Sequence, residues 1–413
     1  MNNINNTSSW PRAIVFIDMN AFFASVEQLD YPEWRGRPIG ITNGIQGTCI
    51  ITCSYEARAY GVKTGMRLKQ ARHLCPDLLQ VPTHPHRYAE VSRNIMHALQ
   101  DISPDQEIFS VDECFLDVTH CQQLFGTPEQ IGLLAKQKVF AASGLLCSVG
   151  VSGDKTTAKY AAKQFKPNGF SVIPPWESRE RLKNVPVIEL CGIGEGITQF
   201  LAKYGVRTCG DVAQLPISIL GKRFGNIGRR IWYMCQGADP DPLHSYVADA
   251  KSMGHGKVMP PNTVDPNVIM TYLRHMCEKV ARRLRKNNLQ AQHFFIGLRS
   301  YDWGWMGNKG QTILPTDDGK MIFELGQKII SDHWTKIPVG QIQVTALDPQ
   351  RANLQYDLFT TPDEKRTALN TIIDDINAHF GEFTIAPATL LQRSSMHNVI
   401  APAWKPDGHR QSI

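Results

Sequence analysis

At 413 residues with 42% hydrophobic and 20% charged side chains, the chain is long enough for about two to four packed domains, which excludes a small stapled module. Its ten cysteines form no CxxC pair and no Cys/His cluster at zinc spacing, so they read as reduced thiols in a reducing compartment. The net charge is a modest +6, residues 1–9 lack a signal-peptide pattern, and no apolar run approaches the ~20 residues that span a bilayer; a soluble, cytoplasmic protein without a membrane partner is expected.

The apolar run Ala13 to Ile17 reads as a buried strand that ends on Asp18, after which Phe22, Phe23 and Val26 follow helical spacing. Strands are expected over 39–42 and 49–52, then a helix over 54–62 on which Tyr55 and Arg58 share a face. A guanidinium beside a phenol suits an anionic phosphate tail, and it equally suits an ordinary helix surface. A helix over 88–99 leads into Glu107 to Val118, read as a hairpin with Asp112 and Glu113 at or near its turn. Buried acids are costly unless paired or metal-bound, so these two and Asp18 point to a hard-oxygen site for Mg²⁺; an acidic turn on a solvated hairpin is the plainer reading.

A helix is expected around 131–142, a strand over 145–151 and a small-residue helix over 156–165. Lys159 and Lys166 lie two helical turns apart; Lys166, just before Pro167, either reaches a phosphate or satisfies the helix end. This order of elements predicts an α+β fold with a mainly antiparallel sheet. Beyond Pro174 and Pro175, the closely spaced Gly192, Gly194 and Gly196 precede a helix over 197–204, the pattern of a helix-hairpin-helix whose backbone N–H groups meet a DNA phosphate, or of a tight turn alone. The basic stretch Gly221 to Arg230 supports DNA, and between Cys191 and Gly310 sixteen Lys/Arg stand against eight Asp/Glu. Residues 237–250 read as a linker to a separate basic α+β domain with a helix over 268–286 and strands over 293–298 and 342–347. Gln355, Leu358 and Phe359 form a short extended peptide suited to a partner's groove, followed by a helix over 364–380 and a flexible end.

Taken together, the stretches IDMNAFFASVE, TCSYEARAYGVKTGM, SVDECFLDVT, VGVSGDKTTAKYAAKQFKPNG and CGIGEGI resemble, in order, those of the Y-family translesion DNA polymerases, nearest the DinB or DNA polymerase IV type. The resemblance runs from about Arg12 to Phe359. It implies a right-hand architecture: palm over 12–21 and 83–173, small fingers over 22–82, a helix-hairpin-helix thumb over 174–240, a separate α+β little finger over 251–350, and a tail over 351–413. It further implies two Mg²⁺ ions held by Asp18, Asp112 and Glu113 with the Met19 carbonyl, and dNTP contacts from Tyr55, Arg58, Lys166 and Thr52. Phe23, beside Phe22, matches the steric gate that leaves no room for a 2′-hydroxyl. The implied partners are primer-template DNA, bound in part by Gly192, Gly194 and Gly196, and a sliding clamp bound through Gln355, Leu358 and Phe359; a monomer is expected. Small fingers imply a roomy, solvent-open site and low-fidelity synthesis past damaged bases.

Cys114 stands where alanine is common and Asn20 where many DinB members carry an acid, and IDMNAFFAS is also similar to the UmuC branch, so both branches stay open. A non-catalytic accessory factor that binds DNA and clamp is the rival reading, against which all three acids are present. A nucleotide cyclase on a related palm would not need the thumb-like segments.

Overall fold

The computed structural model describes residues 10–45, 47–246, 249–352 and 364–391. These divide into two units, one ending at residue 246 and one beginning at 249.

In the first unit β1 (Ile14–Met19) runs into α1 (Phe22–Asp30), followed by β2 (Ile39–Thr42), β3 (Ile50–Cys53), α2 (Tyr55–Ala59), α3 (Leu68–Leu74) and β4 (Leu79–Pro82). Next come α4 (Pro85–Gln100), the hairpin β5 (Gln106–Ile108) and β6 (Glu113–Asp117), α5 (Gln122–Phe125), α6 (Pro128–Ser143), β7 (Cys147–Ser152), α7 (Lys155–Lys163) and β8 (Phe170–Ile173). The main sheet has the order β5-β6-β1-β7-β8, antiparallel except for the last pair. Its central strand is apolar from Ile14 to Ile17 because both faces are covered. Val15 and Ile17 pack with Tyr88 and Ile95 of α4 and Ile131 of α6, while Ile14 and Phe16 pack against Ala158 and Ala162 of α7. The small residues of α7 are required by a close approach: a Cβ on Gly150 of β7 would lie 2.1 Å from the Ala158 carbonyl oxygen. A smaller sheet of order β3-β2-β4 carries α2 at its edge.

The rest of this unit is helical, with α8 (Ser178–Leu182), α9 (Glu195–Ala202), α10 (Cys209–Gln214) and α11 (Ile217–Met234), the last kinked at Gly225 with φ 63°. They share a core of Leu182, Leu190, Leu201, Val212, Leu220 and Ile231. The following segment differs from the free linker that its Asp and Pro content implies. Asp239 is 1% exposed and accepts from Arg230 (2.8 and 2.9 Å) and Thr156 Oγ1 (2.6 Å), and Asp241 meets the Lys155 ammonium (2.8 Å) that also binds Glu107 (2.7 Å). The acids of this stretch therefore bind back onto α7 and α11, a pairing across about eighty residues that local composition does not reveal.

The second unit comprises β9 (Met253–Thr263), α12 (Pro266–Lys286), β10 (Leu289–Ser300), β11 (Gly304–Thr316), α13 (Gly319–His333), β12 (Val339–Ala346), β13 (Gln350–Arg351) and α14 (Glu364–Phe380). Its antiparallel sheet has the order β11-β10-β12-β9, and Leu273, Met276, Val280 and Leu284 of α12 bury Phe294, Ile296, Ile342 and Val344. Helix α14 docks through ions: Asp374 on Arg285 (2.6 and 2.9 Å), and Arg366 with Asn370 on Asp318 (2.5 and 3.2 Å). Just past its end, Glu382 binds Lys279 (2.9 Å). No helix among the described residues is long and apolar enough to cross a membrane, and all ten cysteines are free thiols.

Candidate active site

The three acids arrive from two neighbouring strands. Asp18, next to last in β1, stands directly across the ladder from Glu113, the first residue of β6, and Asp112 occupies the turn before it. The Met19 amide donates to the Asp112 carbonyl (2.9 Å), which ties the turn to the end of β1. Sheet pairing thus joins residues about ninety-five positions apart at one sheet edge.

Crowding of like charges under partial burial sets their electrostatics. Burial, opposed by the Lys166 ammonium and reinforced by Glu113 and Asp112, pushes the Asp18 carboxyl up to about 7. Asp112 is also raised, by burial first and then by Glu113. Each acid has a separate partner: Lys166 Nζ lies 2.5 Å from Asp18 Oδ2, Lys159 Nζ 2.6 Å from Glu113 Oε1, and Ser110 Oγ donates to Asp112 Oδ1 at 2.6 Å. Among the described residues no three acids, cysteines or histidines converge into a ready metal cage. The donor set nevertheless fits Mg²⁺: hard carboxylate oxygens on adjacent strand ends, with the Met19 backbone tied to Asp112.

Tyr55 opens α2 and Arg58 lies over its ring, 4.8 Å from the centroid, so the two do share a face. The Tyr55 hydroxyl is buried beside Asn20 without a hydrogen bond of good geometry, and burial raises its pKa. Thr52 is half-buried in β3, opposite Ile41. Lys166 lies beyond α7 rather than on it. The chain there is anchored by Asn20, whose Oδ1 accepts from the Asn168 amide (2.7 Å) and whose Nδ2 donates to Ser148 (2.9 Å). An amide does both jobs where a carboxylate could only accept, which accounts for Asn at position 20.

Phe22 and Phe23 open α1 with 3% and 9% exposure, and Phe23 stacks on Tyr88 with centroids 4.3 Å apart and planes at 15°. The Tyr88 hydroxyl donates to the buried Glu27 (2.5 Å), which also meets His84 (2.8 Å). Sequence reading missed Tyr88, Ser110 and this role of Asn20; an acid on the apolar face of α1, Glu27, was the available signal. Gly192, with φ 92°, Gly194 and Gly196 are exposed, and a Cβ on any of them would touch nothing within 4 Å. Gly194 and Gly196 border a cleft of ≈ 420 Å³ with Lys203 and Arg223. Gln355, Leu358 and Phe359 lie outside the described residues.

Known proteins resemble this chain over most of its length. The impB/mucB/samB family profile matches residues 17–163, its C-terminal domain matches 250–358, and the thumb domain of DNA polymerase-iota matches 188–239. A DNA polymerase IV of Moorella thermoacetica is 33% identical over 92% of this chain and 96% of its own length. One of Desulfatibacillum aliphaticivorans is 32% identical over 94% and 98%. A chimeric Y-family DNA polymerase superposes with a TM-score of 0.71 at 27% identity, covering 81% of this chain and 98% of its own. These relatives bear the DNA polymerase IV name, so the UmuC-like alternative is not favoured. The acid-bearing antiparallel sheet, the glycine hairpin and these similarities lead to one conclusion: the chain belongs to the Y-family of DNA polymerases, of the DNA polymerase IV type.

Proposed function

We propose that the chain is a template-directed DNA polymerase that adds dNTPs to a primer 3′-hydroxyl past damaged bases, with low fidelity and through a pair of divalent cations. The observation that carries this reading is the pairing of Asp18 with Glu113, with Asp112 one residue away, at a single sheet edge. When bound there, Mg²⁺ supplies activation of the primer hydroxyl and neutralises charge on the triphosphate. Asp18, Asp112 and Glu113 are the holding groups, with the Met19 carbonyl beside them. Arg58, Tyr55 and Lys166 orient the triphosphate, Thr52 lies next to them, and Arg58 makes the forked contact that phosphate oxygens favour. The Phe23 ring, rigid on Tyr88 and flanked by Phe22, meets a 2′-hydroxyl sterically. The exposed N–H groups near Gly192, Gly194 and Gly196 grip duplex backbone without reading its sequence.

In this reading residues 12–21 and 83–173 are the palm, 22–82 the fingers, 174–240 the thumb and 251–350 the little finger. The chain works as a cytoplasmic monomer tethered to a sliding clamp through Gln355, Leu358 and Phe359, which raises its local concentration on DNA. Primer extension with Mg²⁺ over a panel of damaged templates tests the reading. Extension opposite lesions and loss of synthesis on chelation are expected; DNA binding without extension would leave an accessory role.

A further inference from the structure

Two of the three acids pair with lysines that are held in different ways. Lys159 projects from the middle of α7, and its ammonium sits over the rings of Phe16 (4.8 Å) and Phe109 (4.4 Å) while it binds Glu113. Aromatic faces and a helix backbone hold it in place. Lys166 lies past the helix end and binds Asp18 from a flexible four-carbon stem with 29% of its side chain exposed. The backbone beyond it is fixed by Asn20 and by Lys136, which donates to the Asn168 carbonyl (2.6 Å). Lys166 can therefore change partner by turning its own torsions, without movement of the main chain.

We infer that Lys166 is an exchangeable counter-ion: it occupies a carboxylate oxygen of Asp18 until an incoming triphosphate draws it away, so that nucleotide binding frees Asp18 for a cation. This rests on the proposed metal site and adds a coupling to it. An ammonium and a divalent cation compete for the same oxygen, so the apparent cation affinity of the nucleotide-free protein is reduced by the fraction of molecules in which Lys166 is seated. A triphosphate that binds Lys166 shifts that population and strengthens cation binding, and the reverse holds by linkage. Lys159 plays no part in the exchange, because α7 and the rings of Phe16 and Phe109 hold its ammonium on Glu113.

The test is titration of the full-length, nucleotide-free protein with Mn²⁺, followed by the electron paramagnetic resonance signal of free ion. Lys166→Gln is expected to bind Mn²⁺ about five- to tenfold more tightly than the unaltered chain, the usual range of such couplings. Lys163→Gln removes an equal charge from the end of α7 that touches none of the three acids, and is expected to leave the affinity within about twofold. Unchanged or weaker binding by Lys166→Gln overturns the exchange, and so does equal tightening by both variants, which would mean through-space charge alone. Asp18→Asn separates the two layers: if it binds Mn²⁺ as well as the unaltered chain, the metal site itself fails, whereas loss of binding with no response to Lys166→Gln sinks only the exchange.

Discussion

The two units bury ion pairs to opposite effect. At the edge of the main sheet, Asp18, Asp112 and Glu113 crowd together, and each is balanced by its own partner, Lys166, Ser110 and Lys159. In the second unit Arg285, Lys279 and Asp318 are met by Asp374, Glu382 and Arg366, and these pairs fasten α14 to the α12 and α13 side of the domain. Geometry separates the cases. Like charges gathered at one point make a site unstable without a cation, whereas opposite charges spread along a helix make a seam.

The largest expected effect lies at the crowded end. Asp112→Ala should lower Mg²⁺-dependent primer extension by about 10³-fold, as loss of a charge-stabilising group does, while DNA affinity in a gel-shift assay stays near the original. Retained synthesis would place Asp112 with the structural acids. Phe23→Ala should relax the preference for dNTP over rNTP by about 10- to 100-fold in single-nucleotide incorporation. Unchanged sugar discrimination would return Phe23 to the packed core it shares with Tyr88.

The seam sharpens the contrast by responding in stability rather than chemistry. Arg285→Ala leaves Asp374 without its partner, and should destabilise the second unit by about 1–2 kcal/mol and speed hydrogen exchange in α14, with unstimulated synthesis on short templates spared. A response of similar size, seen only as a pH dependence, is expected of Asp154, the buried cap of α7, whose carboxyl burial raises to about 6. The folded chain keeps a proton there that the unfolded chain loses between about pH 4 and 6, so stability falls as pH rises through that window. Asp154→Asn keeps the cap and should flatten the slope, removing a fall of about 2 kcal/mol in unfolding free energy between pH 4 and 7. An unchanged slope would mean that Asp154 behaves as an ordinary exposed acid.

Much of the first unit was legible because its signals are local. The apolar run into Asp18, the acids of the β5–β6 turn and the helical spacing of α4, α6 and α7 each announce themselves within a dozen residues. The second unit hid more. Strand β9 carries Gly254, Gly256 and Pro260, and β11 carries Gly307 and Gly310, residues that weaken a strand pattern even where pairing to β12 and β10 holds the chain extended. Nor could composition show that Asp239 and Asp241 bind back to Thr156 and Lys155, or that α14 docks by charge, since in each case the partner lies far along the chain. The acids themselves were readable; their lysine partners, and the fact that each acid has its own, were not.

The most direct measurement is anomalous scattering from Mn²⁺ in crystals of the protein with primer-template DNA and a non-reactive dNTP analogue. Two peaks bounded by Asp18, Asp112, Glu113 and the Met19 carbonyl, with Lys166 moved from Asp18 onto the triphosphate, are expected. Peaks elsewhere, or an ordered nucleotide with Lys166 still on Asp18 and no metal between the acids, would contradict the assignment of this sheet edge as the site of nucleotidyl transfer.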